Sequence, residues 1–170
     1  KVPSPKILLK AFEEVKPNLI LTVPLILEKI YKKMILPQLS KTTMKVALNI
    51  PLLDSRIYAQ IRKKLVDAFG GRFREVIVGG AAMNEEVTNF LYKIKFPFTI
   101  GYGMTECGPL ISYDHNDEYV PGSCGQILKG IMKVRIESED PYNKVGEIQV
   151  SGENVMKGYY RDEGATSKVF

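Results

Sequence analysis

One loop of the sequence carries three side-chain types that suit nucleotide chemistry. The segment FTIGYGMTECGP, residues 98–109, offers an aromatic ring at Tyr102, a hydroxyl at Thr105 and a carboxylate at Glu106. An aromatic ring can stack on a base for about 1–3 kcal/mol. A hydroxyl can donate to a phosphate oxygen, and a carboxylate can hold Mg²⁺ together with substrate phosphates. The loop therefore predicts a nucleotide–Mg²⁺ site, and the alternative is a tight glycine turn beside a surface acid.

A second glycine-rich loop, in VIVGGAAMN at residues 76–84, also follows a short apolar run. Glycine lets the backbone approach a ligand closely because it has no Cβ. In a parallel sheet, ligands bind beyond the carboxyl ends of the strands. Both loops are therefore expected at that edge of a sheet. Asn84 is a predicted N-cap, with Glu85 and Glu86 in the first turn, where the helix dipole favours anions.

Several other chemistries are excluded by what the sequence lacks. Glu106 stands where a GxGxxG dinucleotide motif would need glycine, and neither GxxxxGK[ST] nor GxSxG occurs. The only histidine, His115, leaves no partner for a serine triad or a histidine metal site and is expected to be solvated. Cys107 and Cys124 lack zinc-ligand spacing and are expected to be reduced thiols, with Cys107 packed in the core.

The composition is typical of a folded globular chain. Of the 170 residues, 45% are hydrophobic and 25% are charged, which excludes a disordered chain. No run approaches the roughly 18 apolar residues that a membrane-spanning helix needs. The sequence begins at Lys1 and is expected to be a piece of a longer protein.

Positive charge is concentrated in the first 70 residues, where thirteen Lys/Arg and five Asp/Glu give +8. Residues 71–170 carry eleven Lys/Arg and fourteen Asp/Glu, which give −3, so the net charge of the chain is +5. The lysines fall between apolar stripes, which favours the solvated faces of amphipathic helices. The alternative is a surface for an acidic partner or anionic lipid. The aromatic interleaving of a single-strand binder is missing, so no nucleic-acid partner is expected.

Residues 5–103 alternate between helical and strand patterns with short connections. Such alternation predicts an α/β layer with a parallel sheet and right-handed crossovers. Proline and the pair Gly70-Gly71 supply the start and stop signals. The predicted helices cover residues 5–15, 24–37, 55–69 and the segment after Asn84, with a short helix near 44–48, and the predicted buried strands cover 19–23, 73–80 and 98–103.

The pattern changes after about Asp117. Residues 120–128, 131–138 and 146–152 read as short alternating strands separated by Gly, Pro and Asn turns. This is typical of an antiparallel sheet with one solvated face, forming part of a small barrel. The predicted domains are an α/β subdomain at residues 1–117, with both glycine loops, and an incomplete β-barrel-like subdomain at 118–170.

Four passages together carry a family resemblance over nearly the whole chain. The chain resembles the adenylate-forming enzymes, which comprise acyl-CoA synthetases, luciferases and peptide-synthetase adenylation domains. It is most similar to the AMP-forming long-chain fatty acyl-CoA ligases. The passages are TVPLILEKIYKKM, VGGAAMNEEV, GYGMTECGP and GEIQVSGENVMKGYYRDEGAT.

The resemblance implies a nucleotide-binding set. The backbone of residues 80–82 is similar to the strip that packs on one face of the ATP adenine, and Tyr102 is similar to the ring that covers the other face. Thr105 is similar to the hydroxyl that contacts the α-phosphate. The implied nucleotide-binding residues are Gly80, Ala81, Ala82, Tyr102, Gly103, Met104 and Thr105.

The resemblance also implies catalytic and specificity roles. Thr105 and Glu106 correspond to the catalytic pair, and Glu106 is similar to the acid that positions Mg²⁺. Short-chain members of the family carry a bulky aromatic residue at the position of Gly103. The glycine is therefore expected to leave the acyl pocket open for a longer chain.

The implied substrates are a fatty acid, ATP with Mg²⁺, and CoA as co-substrate. The family's phosphate loop, ribose-binding aspartate and C-terminal lid match no segment of this chain, so the fragment alone is expected to be inactive. Two alternatives stay open: transfer to a carrier-protein thiol, and a non-catalytic nucleotide or lipid-surface module. The expected location is cytoplasmic, with peripheral membrane contact left open, and the sequence gives no oligomeric state.

Overall fold

A computed structural model describes residues 5–170, which fold as two compact units. The first unit holds the described residues up to Ile100 together with Asp114–Ser123. The second unit holds Gly101–Tyr113 and Cys124–Phe170. The chain thus enters the second unit just before the GYGMTE loop, whereas the sequence pattern suggested a change near Asp117.

The first unit supplies six helices among the described residues. Helical periodicity, proline at the start of α2 and the Gly70-Gly71 stop (φ +92° and +72°) account for most of their bounds. The helices are α1 Pro5–Val15, α2 Pro24–Ile30, α3 Leu36–Leu39, α4 Thr42–Leu48, α5 Leu53–Ala68 and α6 Glu85–Lys93.

One predicted helix has an irregular middle. A π turn at Tyr31–Ile35 follows α2, and the chain then continues as α3 past Pro37, where the sequence predicted an end. Pro37 lies in the first turn of α3, shortly after the π turn, and does not end the helical segment.

Three parallel strands of the first unit form a sheet in the order β1-β2-β3, which confirms the predicted α/β class. They are β1 Leu19–Thr22, β2 Glu75–Val78 and β3 Phe98–Ile100. Only part of β1 is buried: Ile20 is 4% exposed, but Leu21 is 74% exposed. Successive side chains of a strand point to opposite faces, so Ile20 lies on the face that packs into the core and Leu21 on the other face.

An aromatic cluster fills the core of the first unit. The ring of Phe69 stacks on Phe12 at 5.5 Å between centroids and lies 5.7 Å from Phe96. Val76 and Val78 of β2 are fully buried beside these rings. Burial of this apolar surface, at about 25 cal/mol per Å², is the main force that holds α1, α5 and the sheet together.

The second unit is mostly antiparallel. Its strands are β4 Tyr102–Gly103, β5 Leu110–Ser112, β6 Met132–Glu137 and β7 Glu147–Gly152, with a 3₁₀ turn at Thr105–Cys107 and a short helix α7 at Glu163–Thr166. β4 pairs with β5 and β6 with β7, each antiparallel. Cys107, Ile111 and Met132 form its buried core.

Two strand predictions differ from this arrangement. The expected strand at 98–103 is split, because residues 98–100 join the parallel sheet while Tyr102 and Gly103 pair with β5. The expected strand at 120–128 contributes a single antiparallel bridge, between Ile127 and Ser112. Among residues 5–170, no helix has the length and apolar character to cross a bilayer.

Candidate functional site

The loop after β2 exposes the predicted adenine-binding backbone. The N–H of Gly79 donates to the carbonyl of Thr22 at 3.1 Å, which fixes the start of the loop against the end of β1. Gly80 has a φ of +88°, a conformation that favours glycine. Gly80, Ala81 and Ala82 are all exposed, so their backbone is open to a ligand.

Asn84 closes this loop through two hydrogen bonds. Its side-chain oxygen accepts from the N–H of Val87 at 3.2 Å, so the predicted N-cap of α6 is confirmed. Its own backbone N–H donates to Oε1 of Glu28 at 3.0 Å. Glu28 lies on α2, and this contact anchors the far end of the loop to that helix.

The glycine loop of the second unit presents Thr105 and Glu106 from a single 3₁₀ turn. Met104 is extended before the turn, and the N–H of Cys107 donates to the carbonyl of Met104 at 2.9 Å. The hydroxyl of Thr105 is exposed, and none of the other residues from 5 to 170 hydrogen-bonds to it. A hydroxyl in this state is available to an incoming phosphate oxygen.

Glu106 is held at both its side chain and its main chain. The Tyr159 hydroxyl donates to Oε1 of Glu106 at 2.8 Å, and the N–H of Met156 donates to the Glu106 carbonyl at 2.7 Å. The bond from Tyr159, followed by the residue's own backbone N–H, holds the pKa of the Glu106 carboxyl below its usual range. Glu106 is therefore an anion at neutral pH.

The donor set fits a cation shared with a bound polyphosphate. Within residues 5–170, no group of three or more His, Cys, Asp and Glu could hold a metal ion by itself. Mg²⁺ is usually bound through one or two carboxylates together with substrate phosphates. An ionised, partly exposed Glu106, which follows the exposed Thr105 on the same 3₁₀ turn, matches that requirement.

Gly103 is required by packing within its own hairpin. A Cβ placed on Gly103 would collide with the carbonyl oxygen of Pro109 and come within 3.0 Å of the Leu110 Cα. This is a second reason for glycine at 103, independent of the predicted acyl pocket. The pocket role stays a prediction.

The predicted site residues lie in different units. Residues 80–82 belong to the first unit, and Tyr102, Met104, Thr105 and Glu106 belong to the second. Tyr102 and Met104 are half-buried against the core of the second unit. The prediction that the adenine lies between residues 80–82 and Tyr102 therefore stays a prediction.

Two residues that hold these loops have no recognisable signal in the local sequence. Tyr159 lies in the GYY segment that carried part of the resemblance but received no role, and Glu28 lies in TVPLILEKIYKKM. Their contacts join residues 53 and 56 positions apart in the chain, so no local pattern could reveal them.

Other residues that the sequence singled out behave as structural groups. Cys107 is 1% exposed, and burial, with Glu106 beside it, raises the pKa of its thiol, as suits a packing residue. Neither Cys107 nor Cys124 is in a disulfide. The His115 side chain is mostly exposed, yet its Nδ1 lies 3.5 Å from Oε1 of the buried Glu75.

Sequence comparison relates the chain to a described family and to curated proteins. Residues 1–160 match the sequence model of the family described as AMP-binding enzyme. A 4-coumarate–CoA ligase 1 from Glycine max is 33% identical over 102 residues, covering 53% of this chain and 34% of the relative. The long-chain-fatty-acid–CoA ligase 1 of Saccharomyces cerevisiae is 26% identical over 174 residues, covering 92% of this chain and 25% of the relative.

Solved structures share the fold over 99% of this chain. One is O-succinylbenzoate CoA synthetase from Bacillus subtilis in complex with ATP and a magnesium ion, with a TM-score of 0.66, 22% identity and 30% of its chain covered. Another is the amide bond synthetase McbA from Marinactinospora thermotolerans, with a TM-score of 0.68, 20% identity and 30% covered. This chain thus spans about a quarter to a third of the length of such proteins.

Proposed function

Because the chain belongs to the AMP-binding enzyme family, we propose that it is one section of a ligase that activates a carboxylic acid with ATP. In this reaction, a carboxylate oxygen attacks the α-phosphorus of ATP, and the bond to pyrophosphate breaks. The acyl group of the resulting acyl adenylate then passes to the thiol of CoA, and AMP leaves. The observation that carries the proposal is the 3₁₀ turn that presents the exposed Thr105 and, from the next residue, a Glu106 carboxylate held by the Tyr159 hydroxyl.

The proposed roles follow from the chemistry of these two groups. Carboxylate attack crowds negative charge around the α-phosphorus, so donors and cations fixed there lower the barrier. Thr105 donates to an α-phosphate oxygen, and Glu106 holds Mg²⁺, which neutralises phosphate charge when bound. The backbone of Gly80, Ala81 and Ala82, exposed in the first unit, binds one face of the adenine.

A long-chain fatty acid is the proposed carboxylic acid. Its support is the yeast long-chain-fatty-acid–CoA ligase, whose similarity extends over 92% of this chain. An aryl acid is the second candidate, because 4-coumarate–CoA ligases reach higher identity, 33% and 34%, over 53% and 65% of the chain. The acceptor is proposed to be CoA, and a carrier-protein thiol is the alternative.

Pyrophosphate release by the full-length protein that contains these residues tests the proposal. The assay compares saturated acids of increasing length with 4-coumarate, each with and without CoA. A long-chain ligase turns over with long saturated acids and requires CoA for sustained release. Turnover with 4-coumarate alone would move the substrate to aryl acids, and turnover that needs a carrier protein would change the acceptor. Absence of release with every acid would refute the proposed activity.

A further inference from the structure

We propose that Tyr159 is a positioning residue that fixes the carboxylate of Glu106 for adenylate formation. This inference rests on the proposed function and extends it to the GYY segment, which has no assigned role. Tyr159 acts through Glu106 and does not touch the reacting atoms.

The contact between the two side chains is direct and selective. Tyr159 Oη donates to Oε1 of Glu106 at 2.8 Å. No other side chain among residues 5–170 donates to this carboxylate, and its one further hydrogen bond comes from the backbone N–H of Glu106 itself. A carboxylate on a flexible side chain loses rotamer freedom when a ligand fixes it, and a partner that fixes one oxygen beforehand reduces that cost.

Tyr159 is itself positioned by hydrogen bonds with α7 and its N-cap. Its backbone N–H donates to Oγ1 of Thr166 at 2.9 Å, and that hydroxyl donates to the carbonyl of Asp162 at 2.8 Å. Asp162 in turn caps α7, since its Oδ1 accepts from the N–H of Ala165 at 2.8 Å. The line of hydrogen bonds therefore runs from the cap of α7 through Thr166 and Tyr159 to Glu106.

Gly158 permits this arrangement. A Cβ at this position would lie 2.9 Å from Cγ2 and 3.0 Å from Oγ1 of Thr166, and the φ of +143° also favours glycine. Glycine thus allows the backbone before Tyr159 to pass close to α7.

Residues 154–156, just before Tyr159, also hydrogen-bond to the turn that presents Glu106. Met156 donates its N–H to the Glu106 carbonyl, and the amide of Asn154 donates to the carbonyls of Cys107 and Leu110. Residues 154–159 therefore fix both the main chain and the side chain of the predicted metal acid. Precise placement of a charge-bearing group requires such a supporting layer.

The neighbouring Tyr160 offers a matched contrast. Its side chain is 85% exposed, and its ring lies 5.0 Å from the guanidinium carbon of Arg161. Tyr160→Phe removes the same hydroxyl as Tyr159→Phe, one residue along the chain, without touching Glu106.

A double-mutant cycle in urea unfolding tests the contact without reference to activity. The full-length protein is compared with Tyr159→Phe, Glu106→Ala and the double variant. If the two side chains are coupled, the double variant loses less unfolding free energy than the sum of the two single losses. Additive losses would overturn the proposal, because they would mean that the hydrogen bond is not made.

The Mg²⁺ dependence of pyrophosphate release tests the positioning role. Loss of a residue that orients a metal ligand typically costs 10–100-fold in metal affinity or activity, so Tyr159→Phe is expected to raise the half-saturating Mg²⁺ concentration by ~10-fold. Tyr160→Phe should match the wild type. Thr166→Val removes the hydroxyl that accepts from the Tyr159 N–H but leaves the Tyr159 hydroxyl in place. It should raise the half-saturating Mg²⁺ concentration by a smaller factor.

The outcomes separate this proposal from the proposed function. The unfolding cycle could show coupling between Tyr159 and Glu106 while an active Tyr159→Phe keeps the wild-type Mg²⁺ requirement. Tyr159 would then be a structural residue only, and the proposal would be overturned. An equal change in Tyr160→Phe would do the same. A wild-type protein that releases no pyrophosphate would overturn the proposed function, and the metal role with it, while the unfolding cycle would still decide the contact.

Discussion

The hydroxyl of Tyr31 donates a hydrogen bond of 2.9 Å to Oε1 of Glu86, a residue 55 positions later in the chain. Tyr31 begins the π turn after α2, and Glu86 lies in the first turn of α6. The bond therefore ties the π turn after α2 to the first turn of α6, the helix that follows the loop at residues 79–84. Burial, followed by the hydrogen bond to Glu86 and its negative charge, raises the pKa of Tyr31 to about 12.

This raised pKa predicts a loss of stability in alkaline solution. The folded state favours the neutral phenol, so its contribution is complete below pH 10.0, the ordinary pKa, and is lost as pH rises toward about 12. The free energy of unfolding should fall through this window by up to about 1.4 kcal/mol per pH unit from this group. Tyr31→Phe, which cannot ionise, should show a smaller fall in urea unfolding between pH 9 and pH 11.5.

The control for this prediction is Tyr142→Phe, at a side chain that is 96% exposed. The free energy of unfolding of this variant should fall as steeply with rising pH as that of the wild type. Parallel curves for the wild type and Tyr31→Phe would show that Tyr31 does not titrate differently in the two states.

Glu28 is expected to support ATP binding by anchoring the loop that contains the predicted adenine strip. Its bond to the N–H of Asn84 holds the end of that loop. A hydrogen bond is worth about 1 kcal/mol net, so Glu28→Ala should weaken ATP binding roughly fivefold. Calorimetric titration of the full-length protein with ATP measures this change.

Glu28→Gln provides the matched rescue. Its side-chain carbonyl can still accept from Asn84, so ATP affinity should stay near that of the wild type. If Glu28→Gln and Glu28→Ala weaken binding equally, the hydrogen bond is not what supports the loop.

Much of the first unit was predictable because its signals are local. The apolar stripe predicts α5, and Gly70-Gly71 predicts where it ends. Asn84 likewise predicts the start of α6, and each of these signals lies within a few residues of the structure that it specifies. The split after Ile100 was not predictable. Tyr102 and Gly103 leave the parallel sheet because β5 pairs with them, and the strand pattern of residues 98–103 contains no trace of that partner.

The candidate site divides in the same way. Thr105 and Glu106 could be predicted as candidates because their residue types are consecutive in one loop. Tyr159 could not, since its role depends on a contact with a residue 53 positions away. Gly103 received a functional explanation from the sequence, whereas the structure adds a steric one in the Pro109 carbonyl.

Gly103→Ala is expected to destabilise the second unit. Its Cβ would meet the backbone of Pro109, which cannot move aside as a flexible side chain does. Overpacking of this kind costs about 1–3 kcal/mol, which urea unfolding measures. Gly164→Ala is the control, because its Cβ would meet only Asp162 at an ordinary 3.7 Å.

Unchanged stability in Gly103→Ala would mean that the β4–β5 hairpin yields readily. In that case Gly103→Trp becomes a clean test of the acyl pocket, and it should shorten the preferred fatty acid. If Gly103→Ala is destabilising, a chain-length change in Gly103→Trp must be judged against the stability of the variant.

The alternative that the lysine-rich faces of the first unit contact anionic lipid predicts that the protein sediments with anionic vesicles. Lys32, Lys33, Lys63 and Lys64 are exposed, and a lysine near an anionic surface contributes about 1 kcal/mol. Sedimentation with phosphatidylserine vesicles should fall with salt and be lost when all four become glutamine. The control variant carries glutamine in place of four exposed lysines of the second unit, Lys129, Lys133, Lys157 and Lys168.

Equal losses in the two quadruple variants would indicate a nonspecific effect of net charge. Salt-independent sedimentation would argue against any electrostatic contact. Either result would remove the lipid-surface alternative for this region.

Glu106→Gln should slow adenylate formation much more than it weakens ATP binding. Glutamine has nearly the same shape, and its side-chain carbonyl can still accept the hydrogen bond from Tyr159, so the 3₁₀ turn should be preserved. What is lost is the negative charge that would hold Mg²⁺ against the reacting phosphate.

Removal of one group that stabilises transition-state charge typically costs 10²–10³-fold, so kcat for pyrophosphate release should fall by ~100-fold in Glu106→Gln. Glu153→Gln, an exposed acid of the same unit, should leave kcat unchanged. Wild-type kcat in Glu106→Gln would remove Glu106 from the metal role, and the position that Tyr159 gives it would then have to serve folding alone.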